Sequence, residues 1–175
     1  MNLEQLIGRL KKTPSFMENV THWETIPAKE ASFAPFPAEL DNRLPPVLAQ
    51  RGVYKLYSHQ REAFDLAATG KDICVVTPTA SGKTMCYNLP VLNAILKNNA
   101  RALYLFPTKA LSADQVSELY ELIEAMDVDV KTFTYDGDTP AAARRQVRQA
   151  GHIVVTNPDM LHSGILPHHT KWVKL

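Results

Sequence analysis

The stretch Thr77-Pro78-Thr79-Ala80-Ser81-Gly82-Lys83-Thr84 carries the densest chemistry in the chain, because it follows the apolar run Ile73-Cys74-Val75-Val76 and leads into a helix-like segment from Met85 to Lys97. A strand, a tight loop ending in Gly-Lys-Thr and a helix together make a cradle for phosphate groups. Backbone N–H groups and the positive end of the helix would surround the phosphates, Lys83 would reach the outermost ones, and the Thr84 hydroxyl would complete the shell of a Mg²⁺ ion. The ligand this predicts is a nucleoside triphosphate with Mg²⁺, and Lys83 and Thr84 are the candidate catalytic residues. Where the general loop pattern has its first glycine, this chain has Thr77. A Cβ there restricts the loop entrance, which should open differently from that of small GTPases and kinases.

The elements that must position this loop follow a regular pattern. Ser58 can cap a helix from His59 to Ala68, ended by Gly70. Strand-like runs lie at Asp72 to Thr77, Ala102 to Phe106, Asp129 to Thr134 and His152 to Thr156, separated by helical stretches at Met85 to Lys97, Lys109 to Met126 and Pro140 to Gln149. Thr139 reads as the cap of the last of these, with Pro140 in its first turn. Pro90 should kink or break the helix that contains it. Alternating strands and helices with near-continuous apolar strands predict an α/β fold, a parallel sheet flanked by helices.

Ahead of this lies a different region. Leu3, Leu6, Ile7 and Leu10 recur at helical spacing, and the segment from Thr13 to Pro46 is rich in proline and aromatic residues, which suggests an extended arm. A further helix should begin near Pro46 and stop at Gly52. The expected division is an arm with short helices over 1–52 and a nucleotide-binding domain over 53–175.

Composition excludes several classes. With 45% hydrophobic and 21% charged residues among 175, the chain is of ordinary globular make-up. No apolar run approaches the roughly 20 residues that span a bilayer, and the first residues lack the apolar core of a secretory signal, so no membrane partner and a cytoplasmic location are expected. The two cysteines, Cys74 and Cys86, read as buried small hydrophobes in a reducing compartment. A formal net charge of +1 provides no global basic field, so any nucleic-acid contact must be local. Arg144, Arg145 and Arg148 share a helix face but read as a solvated one. His162, His168 and His169 have no carboxylate or thiol partner nearby and do not read as a metal site. No protein partner can be inferred.

In an open parallel sheet, ligands bind beyond the carboxyl ends of the strands. The unusual segments fall there: Pro107-Thr108-Lys109 after the second strand-like run, Asp136-Gly137-Asp138-Thr139 after the third, and Thr156-Asn157-Pro158-Asp159 after the fourth. Short hydroxyl and amide side chains at helix starts suit phosphodiester groups without reporting base sequence, although singly each could be a plain helix cap.

Taken in order, LYSHQ, TPTASGKT, PTKALSADQ, YDGDTP and TNPDML resemble the front half of the first RecA-like motor domain of a superfamily 2 helicase of the DEAD/DEAH-box type. The likeness is greatest to the bacterial mitomycin repair factor A group of DNA helicases. The resemblance implies an ATP-dependent helicase with a role in DNA repair. It implies that Gln60 reads adenine, since a side-chain amide can pair with its N6 donor and N7 acceptor, and that Tyr57 packs near the base. It implies that Pro107, Thr108 and Lys109, Gly137, Asp138 and Thr139, and Thr156 and Asn157 grip the backbone of a single strand, with DNA favoured over RNA. An RNA helicase and a non-catalytic nucleotide- or nucleic-acid-binding fragment are the alternative readings.

Such motors use an Asp-Glu pair at a strand end to hold Mg²⁺ and orient water. No such pair is found here; Asp159 follows an apolar run but lacks an acidic neighbour and lies directly after Pro158. The chain therefore reads as the N-terminal part of a larger enzyme, inactive by itself and of marginal stability, with part of its sheet unfilled.

Overall fold

Asn2 and Gln5 cap each other's backbone, Asn2 Oδ1 accepting from Gln5 N at 2.9 Å and Gln5 Oε1 from Asn2 N at 3.1 Å, and this reciprocal box starts α1 (Leu3–Lys11). The computed structural model describes residues 2–28 and 30–175, in two units over Met1–Ala31 and Ser32–Leu175. In the first unit Pro14 opens a short α2 (Pro14–Met17), so the proline-rich arm is not extended throughout, and the Lys11 ammonium lies 4.5 Å from the centre of the Trp23 ring.

In the second unit β1 (Phe33–Ala34) pairs antiparallel with β2 (Leu56–Tyr57) around α3 (Leu44–Gln50), which ends before Gly52 in left-handed conformation at φ 76°. Then follow α4 (Ser58–Ala68), α5 (Lys83–Asn98), β3 (Ala102–Leu105), α6 (Lys109–Ala125), β4 (Thr132–Thr134), α7 (Ala141–Ala150) and β5 (Ile153–Thr156). Short helical turns continue from Pro158 to Lys171.

β5 is apolar from Ile153 to Val155 and is placed at the centre of a parallel sheet in the order β3-β5-β4, with all four of its residues buried. Its alternation divides the core. Ile153 and Val155 pack with Leu44, Leu48, Phe64, Leu92 and Leu122, whereas Val154 faces Tyr135, Val147, Ile165 and Trp172. A buried hydrogen bond from Tyr104 Oη to Asn88 Oδ1, 2.9 Å, joins β3 to α5. Among the described residues no helix is long and apolar enough to cross a membrane.

Several expectations are corrected. Residues 72–77 form no strand among the described residues: Ile73 and Cys74 are exposed, Val76 is 89% exposed, and a cavity of about 620 Å³ separates this segment from the free edge of β3. An apolar run becomes a strand only when another backbone accepts its hydrogen bonds. Cys74 is accordingly not a core residue, whereas Cys86 is. α5 runs without a break through Pro90, the one intrahelical bond lost there being outweighed by the buried Leu89, Leu92 and Ile95 around it. Ser58 lies inside α4, whose capping residue is Tyr57, and Thr139 folds into a turn with Asp136, leaving Pro140 at the start of α7.

The corner before α3 is held by Asp41, whose carboxylate takes two hydrogen bonds of 2.8 Å from the Arg43 guanidinium, while its N–H donates to Asn93 on α5. The Arg43 hydrogen bond holds the Asp41 carboxyl at about 2, below the ordinary carboxylate value. A lowered folded-state value means the contribution is complete above the ordinary value and is lost as pH falls through about 2. Asp41→Asn is therefore expected to lower the urea midpoint at neutral pH, with the gap to wild type closing on acidification toward that value. Ile153→Ala, which empties a fully buried position on the central strand, is expected to cost about 2–5 kcal/mol in the same unfolding measurement.

Candidate functional site

The phosphate-type loop is built around two left-handed residues. Gly82, at φ 74°, precedes the first turn of α5, and Ala80 lies at φ 59°. A Cβ on Gly82 would come within 2.6 Å of Gln60 Nε2, so both the backbone angle and the space demand glycine. Thr77, which replaces the usual first glycine, hydrogen-bonds through its hydroxyl to Ser81 Oγ at 2.6 Å and braces the loop entrance. The Lys83 ammonium donates to the carbonyls of Thr77 and Pro78 at 2.8 and 2.7 Å. Those carbonyls place a cation at the loop beside the unpaired N–H groups that begin every helix. The crest at Pro78, Thr79 and Ala80 is exposed.

The N-terminus of α4 is docked on this loop. Gln60 is 5% exposed and bridges two backbones, Nε2 donating to Gly82 O and Oε1 accepting from Tyr57 N, both at 2.9 Å. His59 Nε2 pairs with Ser81 O at 3.0 Å. The Tyr57 ring is half exposed and stacks between Phe33 at 5.0 Å and His59 at 5.7 Å, so it is not a core aromatic. A cavity of about 500 Å³, lined by Phe33, Gly52, Val53, Tyr57, Gln60 and Met85, opens beside this row. Its size and apolar walls suit a flat aromatic ligand. Phe33 and His59 were not singled out from the sequence; Phe33 reaches the site only through the β1–β2 register that sets it opposite Tyr57.

The segments after β3, β4 and β5 converge, as parallel strands require: Thr108, Lys109, Thr134, Asp136, Thr156 and Asn157 line one narrow hollow. Their individual roles differ from a uniform row of phosphate donors. Thr108 caps α6, accepting from Leu111 N at 3.3 Å, and Asn157 caps the turn after it, accepting from Met160 N at 2.8 Å. Thr156 is turned inward: its buried hydroxyl donates to Tyr135 O at 2.6 Å and cannot grip a strand outside. Lys109 is ion-paired with Asp138, with Asp136 at 3.9 Å. The hydrogen bond between them holds the Asp138 carboxyl below and the Lys109 ammonium above their ordinary values. An aspartate is a poor direct phosphate ligand, and Asp138 acts here on Lys109. Gly137 is exposed at the apex of that turn, and Thr139 accepts from Asp136 N at 2.9 Å within it. Arg144, read as part of a solvated face, instead donates to Thr139 O at 3.0 Å and lies over the Tyr135 ring at 5.4 Å.

The loop and the hollow are joined by a residue that sequence reasoning passed over. Gln115 on α6 accepts hydrogen bonds from Thr84 Oγ1 at 3.1 Å and from Tyr87 Oη at 2.5 Å, both on α5.

The chain is 57% identical over 175 residues to the uncharacterized ATP-dependent helicase YprA of Bacillus subtilis, covering 99% of this chain and 23% of that protein. It is 33% identical to the ATP-dependent helicase hrq1 of Schizosaccharomyces pombe, covering 98% of this chain and 17% of the relative. A crystal structure of the DUF1998 helicase MrfA bound to DNA and AMPPNP superposes with a TM-score of 0.91 at 56% identity, over 100% of this chain and 24% of that one. The chain thus spans between about a sixth and a quarter of the length of these relatives, and its fold is that of their RecA-like helicase domains. The sequence profile of the DEAD/DEAH box helicases matches residues 57–175, from the aromatic row through the loop to the far side of the hollow, and the chain belongs to that family.

Proposed function

We propose that this chain binds Mg·ATP through Thr77–Thr84 and grips the backbone of a single nucleic-acid strand at the hollow, as the leading part of an ATP-dependent DNA helicase. The observation that carries the reading is the docking of α4 on the loop. Gln60 and His59 fasten the aromatic row to Gly82 and Ser81, so base and phosphates of one nucleotide have adjoining places. Lys83 would exchange two carbonyl acceptors for phosphate oxygens, which are stronger partners because they carry charge. The Thr84 hydroxyl would supply an oxygen ligand to Mg²⁺, whose chemistry is to neutralise charge on the phosphates. Adenine would lie against Phe33 and Tyr57, with the remaining N–H and lone pair of Gln60 available for its N6 and N7 edge. The preference for DNA rests on the DNA-bound relative at 56% identity.

At the hollow, Lys109 is the cation for a phosphodiester, and the N–H groups at the start of α6 and at the Gly137 turn are the neutral donors. Asp136 and Asp138 compete with the strand for that cation. The strand's advantage is its high charge density, which makes the binding dependent on salt.

Titration with a fluorescent ATP analogue tests the first part: Lys83→Ala is expected to weaken binding about 10–100-fold, the loss associated with hydrogen bonds to charged groups, and unchanged affinity would remove Lys83 from the site. Fluorescence anisotropy with a labelled single strand tests the second. Affinity should fall steeply as salt is raised, Lys109→Ala should reduce the salt slope by about 1, and Asp138→Asn should bind more tightly than wild type. A flat salt response would place strand binding elsewhere.

A further inference from the structure

Gln115 stands half-buried on α6, about two turns beyond Thr108 and Lys109. Its Oε1 receives two hydroxyl groups, Thr84 Oγ1 and Tyr87 Oη, which lie one turn apart on the same face of α5. The carbonyl end of the amide faces α5, and both hydroxyls act as donors to it.

That direction matters for Thr84. A hydroxyl has one proton and two lone pairs. With its proton held by Gln115, Thr84 Oγ1 keeps both lone pairs for a cation; with the amide reversed, the NH₂ group would occupy a lone pair and compete with one. Outer hydrogen bonds of this kind orient the ligands of metal ions and strengthen them. We infer that Gln115 is a positioning residue for the Mg²⁺ of a bound nucleotide, acting through Thr84, and that it ties this site to the helix whose first turn carries Lys109 and the N–H donors proposed for the strand. The inference rests on the nucleotide-binding reading given above. It adds a defined contact between the two sites, the hydrogen bond of 3.1 Å by which Thr84 on α5 is held to Gln115 on α6.

The test compares affinities of the chain for a fluorescent ATP analogue in Mg²⁺ and in EDTA. Gln115→Met keeps the length of the side chain and removes the acceptor. It is expected to lower the Mg²⁺-dependent affinity about 10–100-fold and leave the EDTA affinity as in wild type. Gln115→Glu retains an acceptor oxygen and should restore the Mg²⁺ effect. Tyr87→Phe, which removes only the second donor, should keep it and so separates metal positioning from packing between α5 and α6. As a second readout, the change in single-strand affinity on adding Mg²⁺ with nucleotide should be present in wild type and lost in Gln115→Met. If Gln115→Met shows the wild-type Mg²⁺ enhancement, or Gln115→Glu is as defective as Gln115→Met, the inference is overturned while the nucleotide-binding reading stands. If wild type binds no nucleotide in either condition, that reading fails and takes this one with it.

Discussion

Between the Gln60 amide and the Gly82 backbone there is a hydrogen bond of 2.9 Å and no room for a Cβ. Everything proposed for the nucleotide depends on this approach. It requires a left-handed residue without a side chain at the start of α5, and it requires the first turn of α4 to lie against that residue. Once both hold, His59 meets Ser81, Tyr57 stacks on His59, and Phe33 is carried beside Tyr57 by the short antiparallel pair. A phosphate loop and an aromatic wall far apart along the chain become one surface.

The second site follows from a different constraint. Parallel strands end at the same edge of their sheet, so the residues that follow them must meet there. β5 at the centre brings the caps and turns after β3, β4 and β5 around one hollow. Within it, the carboxylates of Asp136 and Asp138 face the single ammonium of Lys109, which leaves one negative charge in excess. Arg144 braces the Asp136–Thr139 turn from behind by bonding Thr139 O and covering Tyr135. Arg144 is thus tied into the fold while Lys109 stands exposed at the hollow, a difference that a pattern of basic residues along a sequence does not carry.

Legibility differed from element to element for physical reasons. β5 could be read because a β-branched run buried on both faces needs no alternation to declare itself. α6 and α7 could be read because loop residues and helix formers bracket them. The run at 72–77 has the same composition as a strand yet has no strand partner among the described residues, and pairing is a property of neighbours that composition does not carry. Thr156 has the residue type of a phosphate donor, but its hydroxyl is claimed by Tyr135 O inside the fold. Phe33, His59 and Gln115 belong to the candidate sites through pairings with residues distant in the chain.

What the amino-acid order determined alone is local: the glycine that a left-handed loop end needs, the lysine and threonine behind it, and three of the four strand-like runs with the helices between them. These depend on backbone angles and on periodicity, which operate over a few residues. What only the tertiary structure decided is which groups satisfy one another: Lys83 with the loop carbonyls, Lys109 with Asp138, Thr84 with Gln115, and Thr156 with Tyr135. A hydrogen bond or ion pair requires its two partners to be within about 3 Å of each other, and packing is what brings residues distant in sequence to that separation.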